Sequence, residues 1–168
     1  MHSLAEIRPI RFWLGLFIAG LILSGLTAFP LQLELNWLSG ALPSGPLAGL
    51  ATSTHLQSWL ERVTEALNDT HSRYPFLAYG ADWLAFAHLV IAVAFLGPYR
   101  DPVRNKWILE FGLIACAGVI PLALIAGQVR GIPFGWRLID CSFGVFGSIP
   151  LLLCLRWTRA LEKRQAES

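Results

Sequence analysis

Four apolar runs constrain this chain more than any other feature. They cover residues 12–29, 81–96, 107–127 and 133–155, and most of the charged residues lie outside them. A helix needs about 20 apolar residues to cross a bilayer. Inside hydrocarbon every backbone polar group must find its partner within the chain, so such runs fold as helices. Charged residues make up 14% of the chain and hydrophobic ones 55%. An ordinary soluble domain carries about a quarter charged residues. The expected fold is therefore all-α: a four-helix transmembrane bundle, read as a single membrane domain over residues 1–168.

The first run follows Arg8 and Arg11 and ends at Pro30. It is longer than the roughly 7–15 apolar residues of a signal peptide, and Trp13 sits where an interfacial anchor belongs, so a retained helix is expected. Residues 31–80 are more polar and form one long segment outside the membrane. Leu31, Leu33, Leu35 and Trp37 alternate with other residues, which predicts a short extended piece at the interface. Residues 39–49 are rich in Gly and Pro and predict a loop. Over 54–68, Leu56, Trp59, Leu60, Val63 and Leu67 recur at spacings of three and four, with Glu61, Arg62 and Glu65 on the other face. That predicts an amphipathic helix capped by Ser53 or Thr54, lying on the membrane or covering the bundle.

Gly97-Pro98 is expected to stop the second membrane helix, and Pro121 and Pro150 fall inside the third and fourth. Pro121 predicts a kink. The tail from Arg156 is charged and is expected to continue as helix. Charge asymmetry sets the orientation. The N-terminus, the 97–106 turn and the tail hold nine of the thirteen Lys and Arg residues. By the positive-inside rule these parts are cytoplasmic and 31–80 is extracytoplasmic. A bacterial inner membrane, with both termini in the cytoplasm, fits this layout.

The net charge of +2 and the lack of a basic stripe argue against nucleic acid. No phosphate loop, GxSxG or HExxH occurs, and no cofactor is expected. No metal site is expected either: His88 is the histidine inside an apolar run, and His55 and His71 lie sixteen residues apart. Cys116, Cys141 and Cys154 lie in apolar runs. Cys141 and Cys154 are roughly 20 Å apart along one helix and cannot bridge. Cys116 and Cys141 fall at similar depth, where either inert thiols or a redox pair would fit.

An ionisable group inside a membrane helix is costly and usually has a partner or a task. Asp82 opens the second helix, and His88 lies about 10 Å deeper. Gln128 and Arg130 close the third helix, and Arg137 and Asp140 enter the fourth through the hairpin Gly131-Ile132-Pro133. All six belong to the outer half. Arg137 and Asp140 either pair with each other at a spacing of three or join Asp82 and His88 around an outward-facing cavity. His88 is either a neutral imidazole bonded to a neighbouring helix or a ligand and proton-transfer group. Glu110 follows Lys106 by four residues, and a salt bridge at that spacing accounts for it.

The layout of one helix, an outer segment with an amphipathic helix, and three further helices resembles the EXPERA-type family of emopamil-binding sterol isomerases and a related sterol-binding receptor. Trp59, Ala87-His88-Leu89-Val90 and Ile120-Pro121-Leu122 fall at comparable places. The resemblance implies a pocket built on membrane acids. His88 stands where one such acid is expected, and the run 12–29 carries none.

Two functions follow as expectations. In the first, Asp82, His88, Gln128, Arg130, Arg137 and Asp140 bind a small hydrophobic or amphiphilic, lipid-like ligand, with Arg137 orienting it and His88 or Asp140 bonding it or moving a proton. In the second, the chain is a non-catalytic subunit of a larger membrane complex or a homo-oligomer. Its seven tryptophans and Gly15, Gly20, Gly25, Gly144 and Gly147 would then pack on partner helices, lipids or pigments.

Overall fold

The computed structural model describes residues 4–46, 48–53 and 56–167, and among them every regular element is helical. In order these are α1 (Leu4–Ala28), α2 (Leu31–Ala41), α3 (Ala48–Ser53), α4 (Leu56–Arg73), α5 (Tyr79–Ala94), α6 (Leu96–Arg100), α7 (Lys106–Pro121), α8 (Gly127–Val129) and α9 (Phe134–Ala166). Four spans, Glu6–Ala28, Pro75–Arg100, Lys106–Val129 and Phe134–Ala166, are long and apolar enough to cross a membrane. They mark the chain as a membrane protein. Within each, only 17–28% of the most apolar window is buried by the rest of the chain, which leaves broad apolar surface for lipid.

The residues group into two compact units, Leu23–Leu89 on one side and Met1–Ile22 with Val90–Ser168 on the other. In the second of these, α7 packs along α9. Ile10, Leu14, Phe95, Leu109, Leu151 and Cys154 are fully buried at its centre. Glycines allow this close approach. A Cβ on Gly144 would sit on the carbonyl oxygen of Cys116, and one on Gly112 would lie 2.7 Å from both Leu151 and Phe95.

The helical path passes through Gly97-Pro98 where a stop was expected, and Pro98 is buried. The chain turns only at Asp101. There Asn105 Nδ2 donates to the carbonyls of Gly97 (3.2 Å) and Asp101 (2.9 Å), supplying donors that the ended helix lacks. Pro121, which has no N–H, is followed by a π-helical turn over Leu122–Ala126. The hairpin then closes as a Schellman motif. The amide of Ile132 donates to Gly127, that of Gly131 donates to Gln128, and Gly131 sits at φ 68°.

α9 continues through the charged tail to Ala166, as expected, and this changes the ion pairs. Lys106 pairs with Glu162 (2.6 Å) and Glu110 with Arg159 (3.5 Å). The bridge expected between Lys106 and Glu110 is not formed, because the tail brings partners alongside α7. α1 starts at Leu4, so this first helix does carry an acid, Glu6, which meets Arg164 at 3.4 Å.

In the Leu23–Leu89 unit, the piece expected to be extended is the helix α2. The amide of Glu34 donates to Pro30 and opens it. α4 is amphipathic as its spacing predicts: Leu60 and Thr64 are buried, and Glu61, Arg62 and Glu65 are exposed. Its expected cap at Thr54 lies outside the described residues, as does the side chain of Ser53.

The α7–α9 contact yields a stability prediction. Gly144→Val should destabilise the protein by at least about 1–3 kcal/mol, the usual cost of overpacking. Gly20→Ala, whose Cβ meets nothing within 4 Å, should leave stability unchanged. The fraction of protein remaining monodisperse in detergent after graded heating measures both.

Candidate functional site

Within Leu23–Leu89, four pieces of chain line a half-open cavity of about 330 Å³. The corner at Phe29-Pro30 and the first turn of α2 bring Leu31, Gln32 and Leu33. The last turns of α4 bring Leu67, Thr70 and His71. The 3₁₀ turn Pro75–Ala78 brings Leu77 and Ala78, and the start of α5 brings Ala81 and Asp82. Local sequence explains the corner. Phe29 precedes a proline, which disfavours continuing α1, and Pro30 then serves as N-cap of α2. Leu67 and His71 are one turn apart and so share a face of α4.

Three amides hold α2 against α4. Gln32 Nε2 donates to Asn68 Oδ1 at 2.7 Å, Asn68 Nδ2 donates to Asn36 Oδ1 at 3.0 Å, and Asn36 Nδ2 reaches Asn68 Oδ1 at 3.5 Å. Gln32 thus lines the cavity and also clamps its wall.

A second, more open cavity of about 330 Å³ lies against Phe29, Tyr79, Asp82, Trp83 and Phe86. The rings of Tyr79 and Trp83, and of Trp83 and Phe86, meet edge to face at 6.0 Å. Phe29 and Asp82 belong to both cavities. Together these surfaces offer apolar walls with a small polar group of Gln32, Thr70, His71 and Asp82.

Asp82 stands apart from most acids in the membrane-length spans. Glu6, Glu110 and Glu162 each meet a cation. Among the described residues, Asp82 and Asp140 form no ion pair. Asp82 lies in the first turn of α5, where the helix dipole favours a carboxylate.

The other predicted residues take different places. His88 lines neither cavity. Its Nδ1 lies 2.7 Å from the carbonyl of Leu84, one turn back on its own helix, and donates to it. In the other unit, Gln128 and Arg130 are exposed at the hairpin and Asp140 is half-buried. Arg137 does not pair with Asp140. Its Nη1 donates to the carbonyl of Leu124, inside the π-helical turn, at 3.2 Å. Its stem lies against Gly127, where a Cβ would come within 2.6 Å of it, and its guanidinium carbon sits 5.3 Å from the Phe134 ring centroid. Arg137 Nε is buried without a hydrogen-bond partner, a situation that costs about 1–3 kcal/mol. Cys116, Cys141 and Cys154 are free thiols.

Thus Asp82 lies with His71, Thr70 and Gln32, while Gln128, Arg130, Arg137 and Asp140 follow the α8–α9 turn. Spacing alone did not single out His71, because its distance from His55 has no ligand pattern. Its i−4 relation to Leu67 was the usable signal. Gln32 was missed because α2 reads as extended.

Replacing Asn68 by Ala should remove about 1–2 kcal/mol from the α2–α4 contact. Hydrogen exchange across Leu31–Ala41 should then quicken several-fold, while exchange in α7 and α9 stays unchanged.

No protein-family model, curated protein or solved structure matches the chain, so the likeness to the EXPERA-type family rests on layout alone.

Proposed function

We propose that the protein binds a small amphiphilic, lipid-like molecule in the cavity around Asp82. The observation that carries this reading is the position of Asp82: a carboxylate in a membrane-length span, without an ion partner among the described residues, shared by two cavities with apolar walls. An acid that has no partner within the chain is what a polar ligand group would satisfy. The polar end of the ligand meets Asp82, His71, Thr70 and Gln32. Its apolar part lies along Phe29, Leu31, Leu33 and Leu67. The cavity is at the small end of the roughly 300–1,000 Å³ typical of such sites.

The segment 31–80 stands on the extracytoplasmic side in this proposal, with both termini in the cytoplasm of a bacterium, because the cations concentrate at the other end. Leu33 and Trp37, both largely exposed and one turn apart on α2, then dip into the membrane interface and open the cavity to lipid. His88 keeps Nε2 as an acceptor and supplies a proton-transfer group deeper along α5. Arg137, Arg130, Gln128 and Asp140 belong to the α8–α9 hairpin and line neither cavity.

The alternative, a subunit packed in a larger membrane complex, draws on the uncovered apolar surface of the four spans. The glycines it would use are mostly taken up within the chain. Gly15 faces Tyr99, Gly25 faces Ala85 and Leu89, Gly144 faces Cys116, and Gly147 faces Cys116 and Phe17. Gly20 is open. This favours the ligand reading.

Mass spectrometry of molecules carried through purification in a mild detergent tests the proposal. The wild-type protein should retain an amphiphile at near-stoichiometric amounts. Asp82→Ala should reduce that amount at least about tenfold, the equivalent of about one hydrogen bond to a charged group. Leu67→Trp, which fills the cavity, should reduce it similarly. Retention unchanged in both variants, or no retained molecule at all, rejects the cavity as a ligand site.

A further inference from the structure

We infer that the α8–α9 hairpin is a binding site for an anionic phospholipid, whose phosphate is held by Arg137 and Arg130. The site shares no residue with the cavity at Asp82, so either can fail alone.

The argument begins with the donors of Arg137. A guanidinium carries five N–H groups in a planar fork. Among the described residues, only the carbonyl of Leu124 accepts from it. Nε is sealed and unpaired, so the donors left for a ligand are at the Nη end. The side chain is also fixed in place. Its stem lies in the space left by Gly127, and the ring of Phe134 lies beside its guanidinium group. Holding the fork in advance lowers the entropy lost when it binds a planar or tetrahedral oxyanion. Phosphate oxygens match that fork in a bidentate manner.

Charge and surroundings select the ligand. Arg130 is exposed at the C-terminal end of α8, seven residues before Arg137. Asp140, one turn further into α9, makes no ion pair with Arg137, so two cations outnumber one acid along this stretch. The flanks are apolar and exposed: Ile125 and Val129 one turn apart before the hairpin, Phe134 and Leu138 one turn apart after it. A soluble anion would use the arginines and leave these side chains idle. A phospholipid uses both, its phosphate at the guanidinium groups and its acyl chains along the flanks. The place is the junction of two membrane-length spans, ending at Val129 and starting at Phe134, where headgroups lie.

Native mass spectrometry of the full-length protein in detergent tests this with phosphatidylglycerol, phosphatidylcholine and inorganic phosphate as separate additions. The wild-type protein should carry phosphatidylglycerol at least about fivefold more than phosphatidylcholine, as expected when charge-assisted bonds are gained. Inorganic phosphate alone should give no comparable adduct. Arg137→Gln should remove the preference, and Arg137→Lys should restore it only in part, because an ammonium lacks the fork. Should Arg137→Gln disturb the π-helical turn and aggregate, Arg130→Gln carries the test: it changes only an exposed side chain and should lower the preference about threefold. Arg62→Gln, an exposed cation of α4, should leave the preference intact. Equal binding of the two lipids, a preference that survives both Arg137→Gln and Arg130→Gln, or a strong adduct with inorganic phosphate alone overturns the inference.

Discussion

A backbone carbonyl without a donor is the constraint around which the membrane-length helices of this protein are arranged. In hydrocarbon no water supplies the missing bond. At two interruptions of the helical ladder a side chain reaches back to a carbonyl. Asn105 does so below the turn at Asp101, and Arg137 does so at the π-helical turn that follows Pro121. Thr158 bonds Cys154, and His88 bonds Leu84, each one turn back. These polar residues are partly spoken for by the fold before any ligand is considered. The groups that the fold leaves over are the Nη donors of Arg137 beyond the bond to Leu124 and the carboxylate of Asp82.

The same accounting separates the two ends of the spans. Near Lys106 and the tail of α9, acids and cations satisfy one another in three pairs, Lys106–Glu162, Arg159–Glu110 and Arg164–Glu6. These pairs are partly exposed, and their separate worth is small, of the order of 0–1 kcal/mol each. Their consequence is geometric: they keep the charged tail helical alongside α7 and α1, where Leu161 and Thr158 are buried.

Much of this was legible in the sequence, because membrane helices are written in composition. Long apolar runs with charges between them located all four spans, and spacings of three and four located α4. What was hidden depended on distant partners. α2 carries leucines at alternate positions, a strand-like signal, yet Gln32 and Asn36 stand one turn apart because both meet Asn68, more than thirty residues away. Lys106 and Glu110 have ideal spacing for a local pair, but the tail of α9 offers each a partner. For the candidate site, Asp82 could be singled out by the cost of a charge at the membrane. His71 could not, because its place in the cavity depends on how α4 ends, α2 begins and the 3₁₀ turn at Pro75 leads into α5.

Whether an unpaired acid signals function depends on what else could stabilise it. The first turn of α5 offers Asp82 a favourable dipole worth roughly 0.3–1 kcal/mol. That would suffice if the carboxylate pointed into open water with solid packing behind it. It does not account for the two grooves that Asp82 lines, since a carboxylate needs no hollow in order to interact with a helix end. Hollows in a folded chain forfeit dispersion contacts along their walls. Leu31, Leu33, Leu67, Leu77 and Phe29 line this one, and the amides of Gln32, Asn36 and Asn68 join α2 to α4 beside it. A carboxylate with no ion partner among the described residues, set between apolar walls, is where the polar group of an amphiphile would be satisfied, and this is the step on which the proposal stands.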